Sequence, residues 1–463
     1  MKHKFLFILL FSLVLEGMVT TQAVAGDYVH QVNTLIGTKG TGLTSGYLYP
    51  GATYPYGMVQ FTPSYFSKRS GFVINQLSGG GCEHMGNFPT FPVKGKLKMS
   101  PDNILNYRIN VSEEKGHAGY YEAMVQEDIK AKLTVTERTG MASYEYPADQ
   151  QYGTIIIGGG ISATPIEQAA IVITAPNKCE GYAEGGNFCG LRTPYKVYFV
   201  AEFDTDAFET GTWKREELMP NTTFAEGEYS GVYFTFDVNK KKNIQYKIGV
   251  SYVSVENARE NLKAENAEWD FQKIQNQAEA KWNHYLGMIE VEGTNPDRTT
   301  QFYTHLYRSF IHPNVCSDVN GEYMGADFRV HKSRSKHYTS FSNWDTYRTQ
   351  IQLLSMLDPE VASDIVVSHQ LFAEQSGGSF PRWVMANIET GVMQGDPTPI
   401  LIANAYAFGA RNYDPKPIFK IMRKGAEEPG SKSQDVETRP GLKQYLDKGY
   451  YNASIQLEYT SAD

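Results

Sequence analysis

The sequence predicts a multidomain protein with a β-rich first half and a helical second half. Its 463 residues exceed what one hydrophobic core normally supports, so at least two domains are expected. Until about residue 255, apolar and polar residues alternate in runs separated by Gly, Asn and Asp clusters; later, apolar residues recur every three or four positions. We therefore predict an N-terminal antiparallel β-sandwich over 26–255, a helical linker over 256–290 and a helical domain over 291–463.

The first 25 residues have the pattern of an export signal. Lys2 and Lys4 precede the apolar run FLFILLFSLVL, and AVA at 23–25 offers a cleavage site after Ala25. The run is too short for a comfortable membrane span, and no Cys follows it at a lipidation position. We expect an exported protein, periplasmic or secreted, with no membrane span in the mature chain.

The β-sandwich is predicted from period-2 alternation. Three runs show it most clearly: YKVYFVAEF from Tyr195, GVYFTFDV from Gly231 and IQYKIGVSY from Ile244. KAKLTVTERTGMASYEYP and YGTIIIGG follow the same pattern. Because no long helix separates these runs, their connections favour antiparallel pairing.

The linker is predicted from NARENLKAENAEWDFQKIQNQAEAKWNHYL, which is rich in Ala, Glu, Lys and Gln and has apolar residues at helical spacing. It reads as one helix or two, followed by a short strand, MIEVEG. Later helices are expected to begin at Asp358-Pro359, Asp396-Pro397 and Asp414-Pro415, because Asp caps a helix and Pro suits its first position. The helix predicted from YYNASIQLEYTSAD runs to Asp463 without a C-cap, as a helix cut short would.

Composition excludes some partners. Net charge is −8 and no basic block is present, so nothing indicates nucleic acid binding. Aromatic residues make up 13% of the chain, which suits β-structure and also the stacking of sugars on rings. The sequence does not indicate an oligomeric state.

Four cysteines are present in this chain, which we expect to be exported. Cys179 and Cys189 flank EGYAEGGNF, a stretch that reads as flexible, and we predict a disulfide between them. Metal binding by the cysteines is disfavoured, because no CxxC or clustered His accompanies them.

The stretch FSNWDTYRTQIQLLSMLDP reads as the first turns of a helix with two faces. One face is apolar, while Asp345, Arg348 and Gln352 follow the helical period on another side, beside Trp344. The simple interpretation is an ion pair on a solvated helix face. The alternative is a binding surface with an acid, a guanidinium and an indole.

Other stretches also leave two interpretations open. The loop GGGCEHMGNFP, with Cys82, Glu83 and His84, is either a ligand-contacting loop or a structural turn. SDVNGEYMGAD resembles the start of a calcium loop but lacks the later ligands, so a turn at Asn320-Gly321 is favoured.

The long loop QSGGSFPRWVMANIETGVMQGDP lacks periodicity, as functional loops often do. It carries Arg382 and Trp383, which either contact a ligand or pack. Asp396, at its end, is interpreted as a helix cap rather than a catalytic acid.

Five separated motifs resemble glycoside hydrolase family 92, in the same order from about residue 27 to 463: YPGATYPYGMVQFTPSYF, LSGGGCEHMGNFPTFPV, PNVCSDVNGEYMGAD, FSNWDTYRTQIQLLSMLDPE and FPRWVMANIETGVMQGDPTPILIANAYAFGARNYD. The family comprises calcium-dependent, inverting exo-α-mannosidases. The resemblance implies a β-sandwich, a helical linker and an (α/α)6 toroid, here incomplete. It also implies a pocket between the two domains and a mannose-containing glycan as partner.

The resemblance assigns substrate contacts to several residues. Asp345 would accept hydrogen bonds from mannose hydroxyls, Trp344 would form an apolar wall, and Arg348 would orient the carboxylate or reach the ligand. The full predicted substrate-binding set is Cys82, Glu83, His84, Trp344, Asp345, Arg348, Arg382 and Trp383.

No catalytic residue is carried over. The family's acid Glu, base Asp and most calcium ligands belong to motifs that would lie beyond Asp463, so we expect no metal ligands within this chain. The resemblance therefore implies the N-terminal part of a longer α-mannosidase. The alternatives are a mannoside-binding protein without catalysis, an inactive fragment, and a glycosidase that uses Asp345 with Glu389 or Asp396.

Overall fold

The computed structural model describes residues 26–39, 48–64, 71–102 and 110–451. The predicted export signal and the final predicted helix lie outside these ranges. The chain forms an antiparallel β domain followed by a helical region, which is the predicted fold class. Within the described ranges, no helix has the length and apolarity needed to cross a bilayer.

Two large sheets form the β domain, and all their strand pairs are antiparallel. In spatial order, the eight-stranded sheet consists of Ala52–Thr53, Gln60–Pro63, Phe72–Val73, Thr90–Lys94, Tyr152–Ile157, Ser230–Asp237, Glu209–Lys214 and Glu217–Pro220. The nine-stranded sheet consists of Phe224–Glu226, Ile166–Ala175, Lys178–Phe188, Leu191–Phe203, Asn243–Ser251, Thr139–Glu145, Ile129–Val135, Tyr120–Val125 and Val111–His117. Residues of both sheets share one hydrophobic core.

The predicted alternation is visible in the burial of single strands. In Leu191–Phe203, buried residues alternate with half-exposed ones, and Tyr198 lies opposite Tyr182 of the neighbouring strand. The stretch EGYAEGGNF belongs to that neighbouring strand, Lys178–Phe188, and is not a flexible loop. It pairs with Leu191–Phe203, with one irregularity in register between Gly185 and Asn187.

The linker consists of two helices, Val255–Glu265 and Phe271–Leu286, each capped by a side chain. Ser254 accepts the N–H of Asn257, and Asp270 accepts the N–H of Lys273. The strand predicted from MIEVEG was wrong. Met288, Ile289 and Val291 instead pack against the helical core without a pairing strand, so apolar alternation there reflects burial alone.

The helical region packs around a second core. Its helices are Pro296–Ser309, Asn343–Thr346, Gln350–Leu357, Pro359–Gln375, Thr398–Phe408, Pro415–Glu427 and Leu442–Lys448. Short two-stranded pairs lie between them: Asn314–Val315 with Tyr338–Thr339, Glu322–Met324 with Val330–Lys332, Val384–Met385 with Ile388–Glu389, and Lys432–Ser433 with Val436–Glu437. One turn of 3-10 helix, Val29–Gln31, precedes the β domain.

Helices follow all three Asp-Pro sequences as predicted, and in two of them the Asp side chain caps the helix. Asp358 and Asp414 accept backbone N–H groups in the first turns that follow them. Asp396 does not cap, because the helix Thr398–Phe408 has no side-chain cap and the Asp396 carboxylate pairs with Arg439 at 3.1 Å. The cap predicted for Asp396 was therefore wrong.

Candidate functional site

A cavity of about 340 Å³ lies where the β domain meets the helical region. The β domain contributes Leu48 and the loop Leu77–Gly80, and the remaining wall comes from the helical region. The polar residues that line it are Ser78, Arg308, His312, Ser340, Ser342, Asn343, Asp345, Thr346, Gln350 and His369. Its apolar surface includes Phe341, Ile351, Leu354 and Trp383.

Asp345 is the single carboxylate among the described residues that line this cavity. It lies in the one-turn helix Asn343–Thr346 and is exposed. Its carboxylate accepts a hydrogen bond from the Ser342 hydroxyl at 2.5 Å. An exposed carboxylate held in this way has remaining lone pairs with which to accept hydroxyl groups of a ligand.

The predicted continuous helix around Asp345 is broken in the structure. Thr349 has a φ of 70°, an unfavourable left-handed conformation for a β-branched residue, and a separate helix, Gln350–Leu357, begins after it. The break lies after Arg348, whose backbone N–H still donates to Asp345 O at 3.4 Å, but the Arg348 side chain does not pair with the Asp345 carboxylate. Arg348 instead donates its Nε–H to the Tyr347 hydroxyl at 2.7 Å.

Neither Trp344 nor Arg348 lines the cavity, although both were predicted to contact substrate. Both side chains are exposed, and 39% of Trp344 is accessible to solvent. Of the three residues predicted in this segment, Asp345 alone lines the cavity.

Asn343 holds this segment in place, and the sequence analysis did not identify it. Its side-chain amide is buried and donates to Thr398 Oγ1 at 2.7 Å and to Pro381 O at 3.2 Å. It also contacts His369 Nε2 at 2.9 Å, while His369 Nδ1 donates to Ile365 O at 2.7 Å. Its position directly before Trp-Asp was the available signal, but a buried Asn is visible only in the folded structure.

His369 is buried and neutral. Burial lowers the pKa of His369 to about 4, and its ring stacks on Phe341 with centroids 3.8 Å apart. Burial likewise lowers the pKa of His312 to about 4, and His312 Nε2 accepts the Ser78 N–H at 2.8 Å. These histidines therefore hold the walls of the cavity, and neither is poised to exchange protons near neutral pH.

Arg308 contributes a positive charge to the cavity. Arg308 is half-buried, and its guanidinium donates to the carbonyl oxygens of Tyr49 at 3.0 Å and Thr34 at 2.8 Å. Burial lowers the pKa of Arg308 from its ordinary value. Among the described residues, no carboxylate lies within ion-pair distance of it, so the cavity combines one half-buried cation with one exposed anion.

The Cys82–His84 loop lies beside the cavity, but these three residues do not line it. Cys82 forms a disulfide with Cys189, so it offers no free thiol. His84 is buried, with Nδ1 donating to Cys82 O at 2.6 Å and Nε2 accepting the Leu77 N–H at 2.7 Å. Burial lowers the pKa of His84 to about 4. Glu83 is exposed, so the lining part of this loop is Leu77–Gly80.

The disulfide predicted between Cys179 and Cys189 was wrong. The two residues lie at opposite ends of an extended strand, which rises about 3.3 Å per residue, so their side chains are far apart. Cys179 is a free thiol buried in the β core. Cys189 instead reaches Cys82, 107 positions away, and joins the glycine-rich loop to the nine-stranded sheet.

The long loop is organised around a buried carboxylate. Glu389 accepts the backbone N–H groups of Arg382 at 2.6 Å, Trp383 at 3.3 Å and Gly391 at 3.1 Å. Burial raises the pKa of Glu389 despite the nearby Arg382 charge. Glu389 does not line the cavity, and Asp396 is occupied by Arg439, so neither forms an acid/base pair with Asp345 in this structure.

Arg382 and Trp383 were predicted together but have different roles. Arg382 is buried and donates to the carbonyl oxygens of Val392 and Gly395, which closes the loop on itself. Trp383 does line the cavity, and its ring stacks on Phe188 of the β domain with centroids 4.3 Å apart. Trp383 therefore forms part of the cavity wall and also a contact between the helical region and the β domain.

The segment that resembled a calcium loop is used to join domains. Asp318 is buried and accepts hydrogen bonds from Ser251 at 2.7 Å, Asn257 at 2.8 Å and Asn261 at 2.6 Å. Burial raises the pKa of Asp318. The predicted turn is present, since the Gly321 N–H donates to Asp318 O at 2.9 Å.

The residues around the cavity do not match a calcium site. Ca²⁺ takes six to eight oxygen ligands, usually including several carboxylates. Asp345 is the only carboxylate that the described part of the chain places at the cavity wall.

Comparison with known proteins places both parts of the chain in one family. The model of the glycosyl hydrolase family 92 N-terminal domain matches residues 31–251, and that of the family 92 catalytic domain matches residues 257–463. An uncharacterized secreted glycosidase from Arthroderma benhamiae is 25% identical over 489 aligned positions, which cover 96% of this chain and 58% of the relative.

Solved structures of two Bacteroides thetaiotaomicron enzymes are similar. A family GH92 α-mannosidase has a TM-score of 0.83 at 24% identity, covering 94% of this chain and 62% of its own. A family GH92 inverting mannosidase has a TM-score of 0.83 at 25% identity, with coverages of 94% and 61%. The chain thus spans about three fifths of the length of these relatives. Because the two family models together match most of its length, the chain belongs to glycoside hydrolase family 92.

Proposed function

We propose that the chain belongs to an exported glycosidase that acts on α-mannosides of glycans, and that the interdomain cavity binds a terminal mannose. The observation that carries this is the position of Asp345, an exposed carboxylate on the wall of a cavity between the two family 92 domains. Similarity to α-mannosidases supports the choice of sugar. The domain limits proposed for it are 26–255, 256–290 and 291–463.

The cavity has suitable chemistry for a sugar. Sugar hydroxyls donate to carboxylates, and a buried hydroxyl without a partner costs about 1–3 kcal/mol. Asp345 supplies the carboxylate, Ser342 and Thr346 supply hydroxyl groups, and Trp383 supplies an apolar ring. A sugar ring presents both polar edges and apolar faces, and this wall offers contacts for both.

Inverting hydrolysis needs two carboxyl groups about 6.5–9.5 Å apart, one as acid and one as base. The described wall of the cavity has one. We therefore propose that Asp345 binds substrate, and that the acid and base of the whole protein are residues other than those lining this cavity here. Calcium dependence and inversion of configuration are part of the proposal for the whole protein only.

The single carboxylate also favours a second candidate, a protein that binds mannosides without cleaving them. Two assays on the purified chain separate the outcomes. Calorimetric titration with methyl α-mannoside, compared with methyl α-glucoside, tests binding and its preference for the axial 2-hydroxyl. Release of mannose from an α-mannobioside tests hydrolysis.

We expect mannoside binding that weakens about 10-fold in Asp345→Asn, which corresponds to about 1.4 kcal/mol. We expect no hydrolysis by this chain, because one carboxylate does not complete the acid and base. Absence of mannoside binding would contradict the proposed site. Hydrolysis that Asp345→Asn abolishes would instead assign catalysis to carboxylates of this chain.

A further inference from the structure

Three segments far apart in sequence bring two imidazoles and a carboxylate together outside the cavity. His30 lies in the 3-10 turn Val29–Gln31, His117 ends the strand Val111–His117, and Glu279 lies in the linker helix Phe271–Leu286. A ligand atom from each residue lies within 4.8 Å of the others. No short sequence motif indicates this group, since His117 and Glu279 are 162 positions apart.

The separations suit one small cation. His117 Nε2 lies 2.8 Å from Glu279 Oε1, and the rings of His30 and His117 have centroids 4.6 Å apart. Tetrahedral zinc with ligands at about 2.0–2.1 Å requires neighbouring ligand atoms about 3.3 Å apart. The measured His117–Glu279 separation is about 0.5 Å shorter than that value and the other separations are at most 4.8 Å, so small side-chain rotations bring the three ligand atoms to this spacing.

Neighbouring groups orient these side chains. His30 Nδ1 bonds Asp27 Oδ1 at 2.6 Å, the carboxylate–histidine arrangement that commonly stands behind a metal-bound imidazole. Gln275 Nε2 donates to Glu279 at 2.7 Å, and Tyr120 stacks on the His117 ring with centroids 5.0 Å apart. Each of the three residues therefore has a partner that restricts its orientation.

The backbone around His30 is also held in place. Asn283 Oδ1, one helical turn beyond Glu279, accepts the N–H groups of Tyr28 at 2.9 Å and Val29 at 3.0 Å. The His117 and Glu279 side chains are mostly buried, with exposures of 16% and 17%, whereas His30 is 55% exposed. The cluster thus has a fixed base on the linker helix and an exposed side open to water.

We propose that His30, His117 and Glu279 form a binding site for a zinc-class divalent cation that fastens the N-terminal segment to the linker helix. Two imidazoles and one carboxylate are ligands that Zn²⁺ or Co²⁺ accepts, with water in the fourth position. Ca²⁺ prefers oxygen ligands, so it does not compete here. The bound ion joins the start of the β domain to the helix that leads into the helical region.

Calorimetric titration of the purified chain with Zn²⁺ in excess Ca²⁺ tests the site. One Zn²⁺ per chain is expected, and His117→Ala or Glu279→Gln should weaken its binding more than about 10-fold. Asp27→Asn, which removes only the partner of His30, should weaken binding about 10-fold. His305→Ala is the matched control, because His305 is an exposed histidine on another helix, and it should bind as the unaltered chain does.

Thermal unfolding gives a second readout. Zn²⁺ should raise the unfolding temperature of the unaltered chain and of His305→Ala, but not of Glu279→Gln, since an ion stabilises only the state that binds it. Glu279→Gln keeps the size of the side chain, and circular dichroism establishes that it folds. No stoichiometric Zn²⁺ binding, displacement by Ca²⁺, or equal losses in His117→Ala and His305→Ala would each overturn the site.

Discussion

Two polar segments meet at the cavity, and they use similar residues for opposite purposes. In the segment 341–349, Asp345 is exposed and its carboxylate lies on the cavity wall. In the loop 380–397, Glu389 is buried and its carboxylate is surrounded by backbone N–H groups. From the sequence, Asp345 was a predicted substrate contact and Glu389 was its catalytic partner in one alternative. The difference teaches that partners and burial, rather than residue type, separate a binding group from a structural one.

The largest expected loss of stability comes from the disulfide that ties the glycine-rich loop to the sheet beside Trp383. Replacing Cys82 and Cys189 by Ser should lower the free energy of unfolding by about 4–5 kcal/mol, because the bond closes a loop of about 100 residues. Guanidinium unfolding measures the shift in midpoint. Cys179→Ser is the control, because the sequence had predicted a Cys179–Cys189 disulfide. Mass spectrometric mapping of this variant should still find the Cys82–Cys189 bond.

The next effect should come from the buried carboxylate of the loop. Glu389→Leu leaves the N–H groups of Arg382, Trp383 and Gly391 without their acceptor, which should cost about 3 kcal/mol. The unfolding midpoint checks this. Asp345→Asn is the matched control on the exposed carboxylate, with an expected change below about 0.5 kcal/mol. Equal losses of unfolding free energy in the two variants would contradict the assignment of a structural role to Glu389 and not to Asp345.

A third prediction concerns the loss of stability at low pH, because buried neutral histidines form part of the cavity walls. The pKa of His369 is lowered to about 4 from an ordinary 6.5. In the unfolded chain the His369 imidazole therefore binds a proton as the pH falls below about 6.5. In the folded chain it binds that proton only as the pH falls to about 4. The stabilising contribution of His369 is complete above pH 6.5 and declines as the pH falls through this window.

His369→Gln should reduce proton uptake on unfolding by up to one proton between these pH values. Urea unfolding midpoints measured across the range give the slope. His305→Gln, at an exposed helical position, should leave the slope unchanged. An unaltered slope in His369→Gln would show that this histidine is not held neutral by burial.

The smallest effect on stability is expected at the exposed segment, where binding is the readout. Asp345→Asn should change the unfolding free energy by less than about 0.5 kcal/mol. Only Asp345→Asn should weaken methyl α-mannoside binding, because Trp344 does not line the cavity. Loss of binding in Trp344→Ala would contradict this result. It would support the contact between Trp344 and the sugar that the sequence predicted.

Local sequence patterns were sufficient to predict the fold class. The strand Asn243–Ser251 and the helix Pro359–Gln375 were predictable because alternation and an Asp-Pro cap act over neighbouring residues. MIEVEG shows the limit of such patterns. Its alternation is real, but a strand also needs a partner, and none of the described strands pairs with it.

The sequence by itself determined the two-part architecture and the segments that surround the cavity, because periodicity, caps and motifs are local properties. Only the tertiary structure decided which side chains serve there. It placed Trp344 outside the cavity and Asp345 on its wall, paired Cys189 with Cys82, and brought His30, His117 and Glu279 together. These outcomes depend on contacts between residues distant in the chain, where neither spacing nor residue type indicates which partner is near.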